Sequence, residues 1–504
     1  MPNRALLEAP VAPGDRVQLE IEAVTRDGVG LAAREGVLVL VPFTLAGEQV
    51  VGEIEEVDRF RRRNRPYAAM LAAGPDGFSF QATAWPVEVA RPAGTRETPA
   101  CPHFSACGGC TWQHQNYGAQ LARKRAVVLS ALAPALKAAG LSDSEIDALV
   151  RPVIPAPSPW QYRNKLEFTF SPAGRPGFHE RGNYRSIVEI EECHVGSPEM
   201  VAAARTVGEW AQAHDLPGYD KVSNTGFLRH LVVRQAYHTQ ELMVALVTFG
   251  SAAAPTAKVA HAPALPFAGD LVERLKQRLP HLTSLLWVIN PSPSDVVKVE
   301  PGQLRVLSGR RYIVETLAGL SFRIELATFF QTNTIQAETL VRLAREAARL
   351  TPSDLLFDLY CGVGTFSLAL ARECRQVLGI EIVEPAVVAA RANAELNRIT
   401  NATFRAGDTR KQLAAAVTDF GNPDVVLLDP PRAGAGGRVM RRLGRTNPRR
   451  VVYVSCNPET LGSDLLELVP FGYSIESVQP VDLFPHTSHV ETVTLAVKKG
   501  HFTD

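Results

Sequence analysis

The sequence predicts a multidomain protein: an amino-terminal OB-type β-barrel, a central α+β domain and a carboxyl-terminal doubly wound α/β domain. The chain has 504 residues, more than one hydrophobic core usually holds, and this length predicts about three domains. A hydrophobic content of 46% with 21% charged residues is typical of a globular protein and excludes a disordered or fibrous one. The residue pattern changes twice along the chain, and these changes predict domains at 11–73, 76–325 and 326–504.

Short alternating runs of apolar and polar residues predict the barrel at 11–73. Val17 to Ile21 and Val50 to Ile54 alternate in this way, and glycines separate the runs. Five arginines follow between Arg59 and Arg65, a pattern typical either of a nucleic-acid contact or of an ordinary solvated surface. The proline-punctuated stretch from Pro86 to Pro102 predicts a connector.

The central domain at 76–325 is predicted to mix helix and strand. Gln120 to Ala139 is rich in Ala, Leu, Lys and Arg and lacks glycine, which predicts a helix within 113–150 that packs on the last domain. Lys165 to Phe170 alternates as a strand does. The Ala- and Pro-rich stretch at 251–268 predicts a surface insertion.

Continuous apolar runs predict a parallel sheet in the last domain. Strands buried on both faces are apolar throughout, and helical stretches separate the runs here. The four predicted strands are Leu355–Leu359, Val377–Ile380, Val425–Leu428 and Val451–Val454.

A glycine turn follows the first of these strands and predicts a nucleotide-type ligand. Gly362 and Gly364 let the backbone pass close to a ligand, and Glu381 ends the next strand, where an acid can hold ribose hydroxyls. A dinucleotide fingerprint requires a third glycine, but Ser367 stands at that place. The pattern therefore favours S-adenosylmethionine over NAD. Asp408, which follows the next predicted strand after Glu381, is a candidate adenine contact or an ordinary loop residue.

A cysteine and two acids at strand ends predict the chemistry. Asp429 begins a stiff Asp-Pro-Pro-Arg loop directly after a strand, and Cys456 directly follows another strand. A structural cysteine prefers the strand interior, whereas one at this edge faces the site. A thiolate can add to carbon 6 of a uracil ring and so activate carbon 5 towards a methyl donor. A base must then remove the carbon-5 proton, and Glu491 is the best candidate. The alternative is that Glu491 is a solvated acid at the end of a strand.

Together these motifs resemble the RNA 5-methyluridine methyltransferases, the RumA/TrmA family. The resemblance rests on Phe329 to Asn333, Asp358 to Thr365, Asp429 to Gly434, Ser455 to Pro458 and Phe484 to Thr492. It implies that the barrel is a TRAM-like domain, that Cys456 is the nucleophile and that Glu491 is the base. It also implies an S-adenosylmethionine site made of Gln331, Tyr360, Gly362, Gly364, Thr365, Glu381, Asp408 and Asp429.

A cluster of cysteines predicts a metal centre. The chain has seven cysteines, an odd number, and its start lacks the features of a secretory signal, so metal binding or catalysis is favoured over disulfides. Cys101, Cys107, Cys110 and Cys193 can supply four thiolates, and their spacing alone leaves zinc and iron-sulfur open. The run from Cys101 resembles the 4Fe-4S site of the family's ribosomal-RNA branch. This implies a structural cluster and 23S ribosomal RNA as substrate, with transfer RNA as the alternative.

The expected partner is therefore RNA, with no membrane contact and no obligate protein partner. No apolar run approaches the roughly 18 residues that span a bilayer, which predicts a cytoplasmic protein. A cytosine-5 RNA methyltransferase would place its cysteine in the loop at Asp429, which has none. The other alternative is a non-catalytic RNA-binding or assembly factor, but the intact set of Cys456, Glu491 and Gln331 disfavours it.

Overall fold

The computed structural model describes residues 8–74, 76–250, 264–292, 299 and 302–500. The chain divides into two compact units, and each is described by itself below. The first unit comprises Met1–Gln120 with His486–Ser488. The second comprises Leu121–Pro485 with His489–Asp504, and so contains most of the predicted central domain and nearly all of the predicted carboxyl-terminal one.

The first unit is built on one mainly antiparallel sheet. Its elements are β1 (Arg16–Glu20), β2 (Ala23–Val24), β3 (Val29–Arg34), β4 (Val37–Pro42), β5 (Gln49–Arg59), α1 (Arg65–Ala68) and β6 (Phe80–Arg91). The strands pair in the order β1-β5-β6-β4-β3-β2, and only β4 and β6 run parallel among these pairs. Val17 and Leu19 are buried between exposed neighbours, as the alternating pattern predicts. Closure into an OB-type barrel stays a prediction.

The sheet extends beyond residue 73, where the sequence pattern placed its end. The predicted connector from Pro86 is wrong in its first part, because β6 continues through Pro86 to Arg91. Pro86 lies opposite Gly52, next to a register shift, where a missing N–H costs the ladder little. A Cβ atom at Gly52 would be tightly packed, 3.0 Å from Leu19 and 3.2 Å from Ala84.

The second unit begins at Leu121, within helix α2, and continues into a mixed sheet and its helices. Its elements are α2 (Tyr117–Ala138), α3 (Asp143–Leu149), β7 (Lys165–Phe170), β8 (Pro176–Glu180), β9 (Asn183–Glu189), α4 (Pro198–Ala213), β10 (Leu228–Gln235), β11 (Leu242–Thr248), α5 (Ala268–Arg278), β12 (Leu282–Ile289) and β13 (Leu304–Gly309). The strand order is β13-β12-β11-β10-β7-β8-β9. The predicted strand at Lys165 is confirmed. Most of the predicted insertion, at 251–263, lies outside the described residues.

The last part of the chain forms a hairpin and then an open α/β sheet. Its elements are β14 (Tyr312–Leu317), β15 (Leu320–Glu325), α6 (Thr334–Ala348), β16 (Leu355–Leu359), α7 (Thr365–Leu370), β17 (Gln376–Glu381), α8 (Glu384–Leu396), β18 (Ala402–Ala406), α9 (Thr409–Phe420), β19 (Val425–Leu428), α10 (Gly437–Thr446), β20 (Arg450–Ser455), α11 (Pro458–Leu466), β21 (Tyr473–Val481) and β22 (Glu491–Lys498). The hairpin pairs β14 with β15, and the sheet has the order β18-β17-β16-β19-β20-β22-β21.

This sheet confirms the predicted doubly wound α/β domain. The strands from β18 to β20 pair in parallel, and β22 returns antiparallel between β20 and β21. All four predicted strands are present at the predicted places. Residues of α6, α7 and α8 join the core on one face of the sheet, and residues of α9, α10 and α11 join the core on the other.

The predicted helix after the cysteine cluster is confirmed as α2, and it packs on the α/β sheet. Val128 and Leu132 of α2 belong to the same buried core as Phe357 of β16. The helix also approaches α11 closely, because a Cβ atom on Gly462 would lie 2.4 Å from the Ala131 carbonyl oxygen. A side chain at position 462 would therefore push α2 away from the domain.

Candidate active site

A cavity of about 2070 Å³ lies at the carboxyl ends of the parallel strands, within the second unit. In open α/β sheets this edge is where ligands bind. Both predicted catalytic residues line the cavity, and so do all the predicted cofactor residues but one. The lining includes Cys456, Glu491, Gln331, Tyr360, Gly362, Thr365, Glu381, Asp408 and Asp429.

Gly364, the exception, shapes the turn with its backbone. It has a φ of 85° and caps the start of α7. A Cβ atom there would lie 3.2 Å from the Phe404 ring and 3.3 Å from the Ala390 Cβ. Only glycine meets both the positive φ and the close approach without strain.

The glycine turn and Glu381 are tied together. The Gly362 amide donates to one Glu381 carboxylate oxygen at 3.1 Å, and the Val383 amide donates to the other at 2.8 Å. Tyr360, which begins the turn, has a φ of 69°, a conformation that non-glycine residues seldom adopt. These bonds fix the Glu381 carboxylate at the end of β17, where it can accept a hydrogen bond from a ribose hydroxyl.

Ser367 has a role that the sequence pattern did not reveal. Its hydroxyl donates to the carboxylate of Asp358, a fully buried residue of β16. Burial raises the pKa of Asp358 to about 7, and the Ser367 hydrogen bond acts in the opposite direction. Where a dinucleotide site has its third glycine, Ser367 therefore places a hydroxyl that hydrogen-bonds one oxygen of a buried acid beneath the turn.

Strand pairing brings Cys456 and Glu491 to the same edge. Cys456 directly follows β20 and Glu491 opens β22, and these strands pair antiparallel with Ser455 opposite Thr492. The Glu491 side chain is not the solvated strand-end acid that the sequence left open, since the residue is only 4% exposed. Cys456 is half-buried in the cavity wall.

Asp429 is the second acid of this edge and is held by Gln331. Asp429 follows β19, and the Gln331 side-chain amide donates to its carboxylate at 3.5 Å. The Gln331 backbone carbonyl in turn accepts a hydrogen bond of 2.8 Å from the Asn164 amide. Two residues distant in sequence thus converge with Cys456 on one cavity, as the motif order predicts.

Burial and mutual repulsion favour the protonated forms of these groups. Burial, together with the charges of Glu491 and Asp429, raises the pKa of Cys456 to about 11. Burial and the Asp429 charge raise the pKa of Glu491 to about 8. Burial and the Asp358 charge raise the pKa of Asp429 to about 7. A positive charge placed in the cavity would stabilise the ionised form of each group.

Arg432 and His489 complete this edge. The Arg432 guanidinium opposes the raised pKa of both Cys456 and Glu491, and it donates to the His489 ring at 3.0 Å. His486 lies in the first unit, where its ring Nδ1 accepts from the Gln120 side-chain amide at 3.2 Å. His489 therefore borders the cavity, whereas His486 serves the packing of the first unit.

A buried ion pair fixes the chain just before this edge. The Lys124 ammonium lies 2.6 Å from the Asp482 carboxylate, and both side chains are fully buried. Lys124 also donates to the Phe484 carbonyl at 2.9 Å, and the Gln336 amide donates to the Asp482 carbonyl at 2.9 Å. Removing one partner of such a pair leaves an uncompensated buried charge. The contacts hold Phe484, which lines the cavity, in place.

The predicted metal ligands lie partly in each unit. Cys101, Cys107 and Cys110 belong to the first unit and Cys193 to the second, and all four are half-buried. The Gly109 amide lies 3.4 Å from the Cys107 sulfur, in hydrogen-bond geometry. Within the described part of the chain, no three Cys, His, Asp or Glu side chains are grouped so that they would hold a metal ion. The cluster stays a prediction.

The fold and cavity define an S-adenosylmethionine-dependent methyltransferase. A parallel sheet, a glycine turn after its first strand and an acid at the end of the second form the nucleoside-binding half of the cavity. Among the helices of the described residues, none is both long and apolar enough to span a bilayer.

The chain belongs to the tRNA (uracil-5-)-methyltransferase family, whose family model matches residues 302–499. It is 35% identical to an uncharacterised RNA methyltransferase of Halalkalibacterium halodurans over 98% of this chain and 99% of the relative. A second such protein, from Caldanaerobacter subterraneus, is 35% identical over 97% of this chain and 100% of the relative. The protein is thus an S-adenosylmethionine-dependent RNA methyltransferase.

A solved structure is similar over nearly the whole chain. It is the Pyrococcus abyssi tRNA (uracil-54, C5)-methyltransferase in complex with S-adenosyl-L-homocysteine, with 29% identity and a TM-score of 0.71. The similarity covers 95% of this chain and 99% of that one. It supports the arrangement of the methyltransferase domain and the identity of the methyl donor.

The raised pKa of Cys456 predicts that the rate of its alkylation depends on pH and on the charge of the bound ligand. In the cofactor-free protein, alkylation of Cys456 by iodoacetamide is expected to increase with pH up to the region of its pKa, about 11. S-adenosylmethionine carries a sulfonium cation and should shift this profile to lower pH, because a cation stabilises the thiolate. Mass spectrometry of the Cys456 peptide measures the rate.

The control ligand is S-adenosylhomocysteine, which has nearly the same shape but a neutral sulfur. It should leave the profile near that of the free protein. The buried Cys374, whose pKa burial also raises to about 11, is an internal control whose alkylation should not respond to either ligand. Identical Cys456 profiles with the two ligands would refute the electrostatic coupling.

Proposed function

We propose that the protein transfers the methyl group of S-adenosylmethionine to carbon 5 of a uridine in 23S ribosomal RNA. The observation that carries the reaction type is the juxtaposition of Cys456, Glu491 and the cofactor residues on one cavity. Enzymes that methylate exocyclic amines need no thiol at this place. Carbon 5 of uracil needs one, because it is a poor nucleophile until the ring is converted to an enolate.

In the proposed reaction, the Cys456 thiolate adds to carbon 6, and the electrons of the carbon 5–carbon 6 double bond move onto the carbonyl at carbon 4. S-adenosylmethionine supplies a methyl group on a sulfonium, a good leaving group. Carbon 5 forms a bond to this methyl group as the methyl–sulfur bond breaks. Glu491 then takes the carbon-5 proton, the double bond re-forms, and the carbon 6–sulfur bond breaks to restore the thiolate.

The environment of Glu491 suits its proposed role. A buried carboxylate with a pKa near 8 binds a proton more strongly than an ordinary glutamate does. Gln331 and Asp429 are proposed to border the methyl group, because they contact each other at the same edge as Cys456. Glu381 is proposed to hold the ribose of the cofactor, and Asp408 its adenine.

The choice of ribosomal RNA rests on the run from Cys101 to Cys110, which resembles the ribosomal-RNA branch of the family. A transfer-RNA uridine is the second candidate, favoured by the 29% identity to the Pyrococcus abyssi transfer-RNA enzyme over 95% of this chain. RNA from cells that lack the gene should be incubated with the purified protein and methyl-labelled S-adenosylmethionine. Label at a uridine of 23S RNA supports the proposal, and label confined to transfer RNA supports the second candidate.

We also propose that Cys101, Cys107, Cys110 and Cys193 bind a structural 4Fe-4S cluster. Burial raises the pKa of Cys193, but hydrogen bonds from the backbone amides of Val195 and Gly196 oppose this. Such amide contacts are typical of sulfur ligands in clusters. Protein purified without oxygen should be brown and contain about four iron atoms per chain, and a Cys193→Ser variant should lose iron. Stoichiometric zinc would refute the proposal.

A further inference from the structure

We propose that the β14–β15 side of the cavity binds the phosphates that flank the target uridine, through Arg163 and Arg323. These two residues, with Arg311, are called the arginine wall here. The proposal rests on the RNA substrate of the proposed function and deepens it by naming the residues that hold the strand. Its test measures RNA binding without methyl transfer.

The cavity is too large for the methyl donor and one base. Its volume of about 2070 Å³ exceeds the range of roughly 300–1,000 Å³ that is usual for small-molecule sites. The lining extends past the strand ends to the β14–β15 hairpin and to the loop before β7, where the arginine wall lies. The extra space therefore has a wall of its own, distinct from the cofactor residues.

The two parts of the cavity differ in their balance of acidic and basic side chains. The carboxyl edge of the sheet and the loops beyond it supply five acids and three arginines, so acids outnumber bases there: Glu381, Glu384, Asp408, Asp429 and Glu491 against Arg410, Arg432 and Arg438. The wall near the hairpin instead presents three arginines and one acid, Glu325. A cationic cofactor and a polyanionic strand would each meet the opposite charge, as electrostatic complementarity requires.

Arg323 packs against an aromatic ring of the hairpin. In the register of β14 and β15, Tyr312 lies opposite Glu325 and Val314 opposite Arg323, so Arg323 and Tyr312 share the outer face. The Arg323 guanidinium lies 5.1 Å from the centre of the Tyr312 ring. This contact orders the side chain before a ligand arrives and so reduces the entropy lost on binding.

Neither Arg323 nor Arg163 is paired with a carboxylate of the described residues, and the Arg163 charge opposes the raised pKa of the Cys193 thiol. Within the described ranges of the chain, no carboxylate lies within 4.0 Å of either guanidinium, while Arg311 is paired with Glu325 at 3.3 Å. The Arg311 pair is exposed on both sides, so it contributes little to stability. Two guanidinium groups without a carboxylate partner on a concave surface are suited to phosphate oxygens.

The experiment measures binding of a uridine-containing single-stranded RNA to the full-length protein across a range of salt concentrations. Each phosphate contact contributes about 0.7 to the slope of log affinity against log salt for a single strand. Arg323→Gln and Arg163→Gln should each lower the slope by about this amount, and the double variant by about twice as much. Arg323→Lys keeps the charge and should restore most of the slope.

The matched control is Arg342→Gln, because Arg342 is an exposed arginine on α6 paired with Glu346. It should leave the slope unchanged. Binding of S-adenosylhomocysteine and the melting temperature should be unchanged in all variants. If the double variant shows the same slope of log affinity against log salt as the wild-type protein, the proposal that the arginine wall binds phosphates is refuted. If the RNA binds with the expected salt dependence but receives no methyl group, the result counts against the proposed function and not against phosphate binding by the arginine wall.

Discussion

A Cys456→Ala variant is expected to transfer no measurable methyl group to RNA, a loss on the order of 10⁴-fold or more. Without the thiolate, carbon 5 of the uridine stays part of an aromatic-like ring and cannot attack a methyl group. The variant should still bind S-adenosylmethionine, because Cys456 makes none of the turn and acid contacts that form the nucleoside site. Incorporation of labelled methyl measures the first property, and calorimetry measures the second.

The matched control is Cys374→Ala, which removes another thiol of similarly raised pKa that lies in the core. It should keep its methyl transfer at temperatures where it stays folded. Substantial activity in Cys456→Ala would rule out the covalent mechanism. A wild-type protein that binds RNA and cofactor but transfers no methyl group would instead support the non-catalytic assembly factor.

The sequence predicted the α/β domain well because its strands are buried on both faces. Such strands are apolar throughout, and β16 and β19 are fully buried from end to end. The site residues were predictable for a related reason. Asp429 and Cys456 directly follow strands, and parallel strands end at the same edge, so adjacency in space follows from the order of the runs.

The sequence could not predict features that depend on partners distant in the chain. Pro86 is tolerated in β6 because it pairs next to a register shift of the β5–β6 ladder, where a missing N–H costs little. Lys124 has the pattern of a solvated helix residue, yet it is fully buried because Asp482 supplies an opposite charge 358 positions away. Ser367 excluded a dinucleotide fingerprint, but its bond to Asp358 appears only in three dimensions.

A Glu491→Gln variant is expected to form the covalent protein–RNA adduct and to release it very slowly. Glutamine has nearly the same shape as glutamate but cannot take the carbon-5 proton. Cys456 can still add to carbon 6 and the methyl group can still move, so one S-adenosylhomocysteine should form per chain before turnover stops. Loss of a general base lowers the rate by about 10²- to 10⁴-fold. Denaturing gel electrophoresis with labelled RNA detects the adduct.

Accumulation of the covalent adduct in Glu491→Gln distinguishes a catalytic base at this position from an acid with only a structural role. Glu491 is buried in a wall with Asp429, so a neutral glutamine also removes repulsion and should lower the pKa of the Cys456 thiol. Addition at carbon 6 should therefore be no slower than in the wild-type protein, while release is slow. The Cys456→Ala/Glu491→Gln double variant should form no adduct, and Glu476→Gln, an exchange of a β21 acid paired with Arg349, should turn over normally. Normal turnover without an adduct in Glu491→Gln would mean that another group removes the carbon-5 proton.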